Sequence, residues 1–266
     1  MDRQMKVAIL GFGTVGNSVA RILCEHPPQG LELGCIFNRG VDRKRVTWVP
    51  SSVLWTENFD GVLASKPDIV VELAGGLQPA GEWVRSSLAA GSSVVTANKK
   101  LIAEQGLALE ELARRHGAQL LFGAAVAGGV PVIPAVQQGL AGDRMYRFHG
   151  ILNGTCNFIL SNMEDGAEFE PTLRQAQERG YAEANPTEDV DGFDARAKLV
   201  ILSRIGLHKE VLPEEVACRT IRDVSAIDFA YAKDLHCTIR QISRAEVRDQ
   251  ELLATVGPML VPRSSP

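Results

Sequence analysis

The sequence predicts an α/β fold followed by an α+β layer, and two observations lead there. Through the first half of the chain, apolar runs of strand length alternate with segments of helical spacing. Beyond the Gly/Pro-rich stretch 127–134 the alternation loosens into a mixture of helices and strands. Alternating elements build a parallel sheet covered by helices, because each parallel crossover needs a long connection. A boundary is therefore expected after Val126, giving domains 1–126 and 127–266.

In chain order, 6–10 reads as a short apolar strand, 15–24 as an amphipathic helix and 31–37 as a second strand. Strands at 68–73, 93–96 and 119–122 continue the series. Between them, 81–90 and 102–116 have helical spacing, with Gly91 and Gly117 as stops. In the second half, helices are expected at 155–163, 172–179, 193–205 and 225–235, and strands at 146–152, 237–243 and 252–260. Residues 262–266 read as an irregular tail.

Composition narrows the function classes. The 266 residues are 45% hydrophobic and 23% charged, enough for one large domain or two smaller ones with substantial cores. A net charge of −4, without a basic stripe interleaved with aromatics, gives no footprint for nucleic acid or an anionic membrane. Cys24, Cys35, Cys156, Cys218 and Cys237 are odd in number and lack close pairs, so neither a disulfide framework nor a zinc site is expected. A cytoplasmic protein fits best. The opening residues run straight into a strand, so no signal peptide is expected. The uncharged run 120–136 is broken by Gly128, Gly129, Pro131 and Pro134 and is shorter than the roughly 20 apolar residues of a spanning helix. The glycosylation-like Asn153-Gly-Thr155 lacks a secretory context. His116, His149, His208 and His236 form no metal-ligand spacing, and the Asp189, Asp191, Asp194 series lacks the closing glutamate of a calcium loop.

Several segments carry chemistry. Gly11, Gly13 and Gly16, with Thr14 and Val15, follow the first strand and open the first helix. There glycines permit a tight turn and let backbone approach a pyrophosphate at the helix N-terminus. This strand, turn, helix and strand unit reads as a Rossmann-type, NAD(P)-binding arrangement. At the end of the second strand stand Asn38 and Arg39 instead of the acid that binds ribose hydroxyls, which favours NADP(H) over NAD(H) unless Arg39 merely faces water. Ala74, Gly75 and Gly76 after Glu72, and Ala97, Lys99 and Lys100 after Thr96, fall at strand ends on the carboxyl edge of the sheet, where such folds place ligands. A lysine at a helix N-terminus opposes the helix dipole, which favours a functional reason for its presence. Gly154 and Thr155 begin another helix and can meet an anion such as a carboxylate, although Thr155 could equally be an N-cap.

The most concentrated stretch is 180–198. Glu183, Glu188, Asp189 and Asp191 lead into a helix on which Asp194 and Lys198 lie four apart and share one face, while Leu199, Leu202 and Ile205 form its buried side. Acids for an amine and a lysine for a proton suit an active-site floor. A solvated loop with an ordinary surface ion pair is the alternative.

Taken together, the 11–16 turn, the run 94–103, the Ala-Val-Ala-Gly-Gly-Val-Pro of 125–131, the 150–155 turn and 180–198 resemble homoserine dehydrogenase. The resemblance covers nearly the whole chain in the right order. It implies a Rossmann-type parallel sheet domain followed by an α+β substrate-binding and dimerisation domain, a homodimer, and NAD(P)-dependent interconversion of L-homoserine and L-aspartate 4-semialdehyde in threonine and methionine synthesis. By position it implies Lys198 and Lys99 as catalytic lysines, Asp194 as the orienting acid, and Glu183, Tyr181, Gly154, Thr155 and Asp189 around the substrate. It also implies Na+ or K+ on the carbonyls of Val126, Gly128 and Val130. Three departures stand out: Gly123 where the family often has a cation-binding glutamate, Asn185 where aspartate is usual, and a sequence that stops at Pro266, ahead of the C-terminal return segment that the resemblance leads one to expect and of the ACT domain found in some members. A catalytically degenerate nucleotide-binding protein and a related amino-acid dehydrogenase are the alternative readings.

Overall fold

The computed structural model describes residues 3–265. The chain divides into two compact units, Met1–Pro131 and Val132–Pro266. The division lies in the same Gly/Pro-rich stretch at whose start the sequence-based boundary stands.

The first unit runs β1 (Met5–Leu10), α1 (Thr14–Glu25), β2 (Leu31–Phe37), α2 (Val41–Lys44), β3 (Leu54–Thr56), α3 (Phe59–Ala64), β4 (Ile69–Glu72), α4 (Ala80–Ala89), β5 (Ser93–Thr96), α5 (Lys99–Arg115) and β6 (Leu120–Leu121). All six strands are parallel, in the order β3-β2-β1-β4-β5-β6. Winding reverses between β1 and β4, and the crevice at the carboxyl ends of those strands is where this topology binds its ligand. The period-2 alternation of β1 explains the layers. Val7 and Ile9 pack with Ile36, Ala20 and Leu23 on the α1 side, whereas Ala8 and Leu10 pack with Phe37, Val84, Leu88, Leu101 and Leu109 on the side of α4 and α5. Three elements between β2 and β4 were not expected from the sequence. α2, β3 and α3 have four, three and six residues, too few to display a period.

The second unit runs α6 (Val132–Pro134), a π turn over Ala135–Gly139, β7 (Arg147–Gly150), α7 (Gly154–Glu164), α8 (Phe169–Glu178), α9 (Thr187–Val190), α10 (Phe193–Leu207), β8 (Ala217–Cys218), α11 (Ala226–Asp234), β9 (Cys237–Arg248) and β10 (Glu251–Pro262). Its sheet is mixed, ordered β7-β9-β10-β8, with β7 and β10 antiparallel to β9 and β8 parallel to β10. Ile159 and Leu160 of α7, Leu173 of α8, Ile221 of the segment after β8, Phe229 of α11 and Ile239 of β9 close its core. α10 is buried almost all round, from Leu199 to Leu202 and again at Ile205 and Leu207, the pattern of a central core helix. Gly192 starts it at φ 85, and a Cβ there would lie 3.2 Å from Val256 Cγ1. Glycine is thus required by both backbone and packing.

The hairpin of β9 and β10 is longer than expected. It turns through Asp249 and Gln250 alone, both at positive φ. β10 extends one residue into the expected irregular tail, to Pro262, and Arg263 N–H donates to the His236 carbonyl at 3.1 Å. Pro266 lies outside the described residues. The five cysteines are free, and among the described residues no helix is long and apolar enough to cross a membrane.

Candidate active site

In the first unit the glycine turn has three distinct reasons for its three glycines. Gly11 sits at φ +99, and a Cβ there would come within 3.0 Å of the backbone of Leu73 and Ala74. At Gly16 a Cβ would fall 2.0 Å from the Gly11 carbonyl oxygen, so only glycine lets α1 seat on the turn. Gly13 meets nothing within 4 Å. It is the N-cap of α1, which carries no side-chain cap and no acid in its first turn. The N–H groups of Thr14, Val15 and Gly16 therefore open a helix with free space before them, and these residues fit a pyrophosphate.

Asn38 locks this turn. Its Oδ1 accepts the Phe12 N–H at 2.9 Å and its Nδ2 donates to the Arg39 carbonyl at 2.6 Å. The Asn38 side chain is thereby held in the fold, while Arg39 beside it is exposed.

The carboxyl ends of β4 and β5 are tied by Glu72, which the sequence reading placed at a strand end without a role. Fully buried, it accepts the N–H groups of Ala74 and Gly75 at 2.9 and 2.8 Å and the Thr96 hydroxyl at 2.6 Å. These three donors satisfy oxygens that burial would otherwise leave without partners. Asn98 completes the tie: it donates to the Gly76 carbonyl at 2.6 Å and caps α5 by accepting the Leu101 N–H at 3.2 Å. Lys99, half-buried, is the first residue of α5, its N–H bonded to the Ala97 carbonyl at 3.0 Å; Lys100 is exposed.

In the second unit a cavity of about 620 Å³ gathers residues expected around the substrate: Gly154, Thr155, Tyr181, Asp189, Asp194 and Lys198. Lys198 Nζ lies 2.6 Å from Asp194 Oδ2 and 2.8 Å from the Leu152 carbonyl oxygen. Side-chain exposures of 18% and 6% exclude the exposed ion pair that was the alternative. An ammonium has three N–H groups, so one remains for a ligand in the cavity. Gly154 has open space on its Cα. Tyr181 is exposed, its ring edge-on to Phe158 at 5.4 Å.

Thr155 is not the N-cap. Its hydroxyl donates to the Tyr181 carbonyl at 2.7 Å, and Asn153 caps α7 by accepting the Cys156 N–H at 2.8 Å. Asn153, which the sequence shows only within a glycosylation-like triplet and the 150–155 turn, is buried and donates to Asp189 Oδ1 at 2.7 Å and to Asp194 Oδ2 at 2.9 Å. No local pattern carries this, because the partners lie 36 and 41 residues away. Beneath it, the Cys156 thiol donates to the Asp189 carbonyl at 3.1 Å; burial first, then Asp189 and Asp194, push its pKa far up and keep it protonated.

Other acids of the run separate from this group. Asp191 accepts from the Thr220 hydroxyl at 2.7 Å and from Arg222 at 3.2 Å, tying the loop to the segment after β8. Glu183 and Glu188 are exposed. Glu183 does not line the cavity, and its carbonyl accepts from Gln177 at 3.1 Å. Among the described residues no three His, Cys, Asp or Glu side chains could hold a metal ion together. Around Val126, Gly128 and Val130 the chain makes a turn with Ala127 and Gly128 at positive φ, closed by the Val130 N–H on the Ala127 carbonyl at 3.0 Å.

Comparisons with known proteins cover both units. The family model described as homoserine dehydrogenase matches residues 131–266, and the one described as homoserine dehydrogenase, NAD binding domain matches residues 11–123. A homoserine dehydrogenase of Synechocystis is 41% identical, over 98% of this chain and 63% of its own length. The crystal structure of a homoserine dehydrogenase from Thiobacillus denitrificans superposes with a TM-score of 0.90 at 38% identity, covering 99% of this chain and 63% of that one. A hyperthermophilic archaeal homoserine dehydrogenase in complex with NADPH reaches 0.82 at 26% identity, covering 99% and 84%. The chain thus spans somewhat less than two thirds of the length of its curated relatives.

Proposed function

This chain belongs to the homoserine dehydrogenase family, and on that premise we propose that the protein interconverts L-homoserine and L-aspartate 4-semialdehyde with NADP(H). The observation that carries the reading is the buried Lys198–Asp194 pair, which lines a cavity with one N–H of the lysine unengaged.

When bound, the nicotinamide accepts or supplies the hydride. The chain's own residues handle binding and the proton. Lys198 meets the aldehyde oxygen, where its charge and N–H stabilise the alkoxide that forms on reduction and deliver the proton that makes the hydroxyl. In the reverse direction it takes that proton back. Asp194 holds the ammonium through Oδ2 and so fixes the donor's direction. Lys99 is the second catalytic lysine. Backbone N–H groups of Gly154 and Thr155 at the start of α7 hold the substrate carboxylate, with Tyr181 as a wall. Asp189 and Glu183 take the amino group, Glu183 from the loop that follows Tyr181.

Gly11, Gly13, Thr14, Val15 and Gly16 hold the pyrophosphate, with Ala74, Gly75, Gly76 and Ala97 lining the rest of the cofactor crevice. Arg39, exposed at the end of β2 beside the fixed Asn38, takes the 2′-phosphate of NADP(H). The NADPH complex of the archaeal relative supports the cofactor class. A monovalent cation on the carbonyls of Val126, Gly128 and Val130, a homodimer and a cytoplasmic location complete the proposal. The test is NADPH consumption by the purified protein with L-aspartate 4-semialdehyde, followed by the same assay with NADH. Faster turnover with NADPH is expected; no turnover with either nucleotide overturns the reading.

A further inference from the structure

We propose that Asn153 is a positioning residue that sets the place of the Asp194–Lys198 pair, an inference that rests on the functional reading above. Asn153 is 3% exposed, and both hydrogens of its amide and its carbonyl oxygen are engaged. Oδ1 accepts the Cys156 N–H at 2.8 Å, while Nδ2 gives one hydrogen to Asp189 Oδ1 at 2.7 Å and the other to Asp194 Oδ2 at 2.9 Å. The amide can take only one orientation, since the flipped form would aim an oxygen at two carboxylates.

One side chain therefore joins the starts of α7, α9 and α10. Asp194 Oδ2 receives hydrogen bonds from both Asn153 and Lys198. Without the Asn153 donors, Asp189 and Asp194 would lose the amide group that links them, and Asp194 Oδ2 would lose one of the two hydrogen bonds that set its place. The partner that aims the remaining N–H of Lys198 into the cavity would then be less firmly placed.

Capping and bridging can be separated. Aspartate at 153 can still accept the Cys156 N–H and is as good an N-cap as asparagine, but it cannot donate to either acid. Serine also caps, adds no charge and cannot reach both carboxylates. Asn153→Asp and Asn153→Ser are compared with the parent protein for thermal unfolding, kcat and the KM for NADPH. In both variants kcat is expected to fall roughly 10- to 100-fold, the scale of hydrogen bonds to charged groups, with the NADPH KM unchanged because the glycine turn belongs to the other unit. The serine variant decides if the added charge of aspartate prevents folding. Parental kcat in a folded variant means that Asn153 only caps α7, and failure of both variants to fold means that it serves the fold; either result overturns the inference. A parent protein without turnover overturns the functional reading itself, and the role of Asn153 with it.

Discussion

Removing the carboxylate of Asp194 should cost stability as well as turnover. Asp194 is 5% exposed and its Oδ2 faces two donors, Lys198 Nζ at 2.6 Å and Asn153 Nδ2 at 2.9 Å. In Asp194→Ala the ammonium keeps only the Leu152 carbonyl, and one N–H of Asn153 loses its acceptor. Breaking one side of a buried ion pair costs about 3–5 kcal/mol. Because Lys198 retains 18% of its side-chain surface, the lower end, about 3 kcal/mol, is expected. Asp194→Asn preserves shape and an acceptor, and should lose only about 1–2 kcal/mol. Urea unfolding followed by circular dichroism measures both, with an unchanged denaturant slope showing that the folded and unfolded states are otherwise comparable. A loss below about 1 kcal/mol in Asp194→Ala is the behaviour of an exposed pair and would refute the argument that this pair is sheltered in the cavity.

Three further outcomes follow from other parts of the molecule. Glu72→Gln, which weakens the acceptor of the Ala74 and Gly75 amides and of the Thr96 hydroxyl, should destabilise the first unit by about 1–3 kcal/mol. It should also raise the NADPH KM; unchanged nucleotide binding would contradict the placement of the cofactor at these strand ends. Gln250→Gly should stabilise the β9–β10 hairpin by about 1 kcal/mol, because Gln250 sits at φ 73 and glycine has no side chain to oppose it; a lower melting temperature contradicts this. Hydrogen bonds from Arg248 and then Arg244 hold Glu246 down at about 2, against 4.5 for the free group. Its contribution is therefore present above pH 4.5 and is lost as pH falls toward 2. The melting temperature of Glu246→Gln should lie below the parent's near neutral pH and converge with it on acidification, and a constant gap rules this out.

The sequence revealed the elements with a clear period and hid those whose form depends on distant partners. β1, α1 and β2 were legible because an apolar run, a glycine turn and an amphipathic helix follow one another in 33 residues. β3 was hidden because it is held by pairing to Cys35, Ile36 and Phe37, not by its own three residues. The hairpin turn escaped notice because Asp249 and Gln250 include no glycine to announce positive φ. In the site, Asp194 and Lys198 were legible because helical spacing alone brings residues four apart together. Glu183 illustrates the limit: it stands in the same run as Asp189 and Asp194 but outside the lining of the cavity, and the run's composition does not distinguish the three. Asn153 was missed because what distinguishes it is contact with α9 and α10, and its local neighbours read only as a turn.

The central claim is that Lys198 handles the proton at the reacting oxygen, and the direct measurement is kcat for NADPH oxidation by Lys198→Ala with saturating L-aspartate 4-semialdehyde, alongside thermal unfolding and NADPH binding. The account predicts a folded protein that still binds NADPH and has lost turnover by roughly 100-fold or more, the contribution of a positioned general acid. A folded Lys198→Ala protein with the parent's kcat would contradict it.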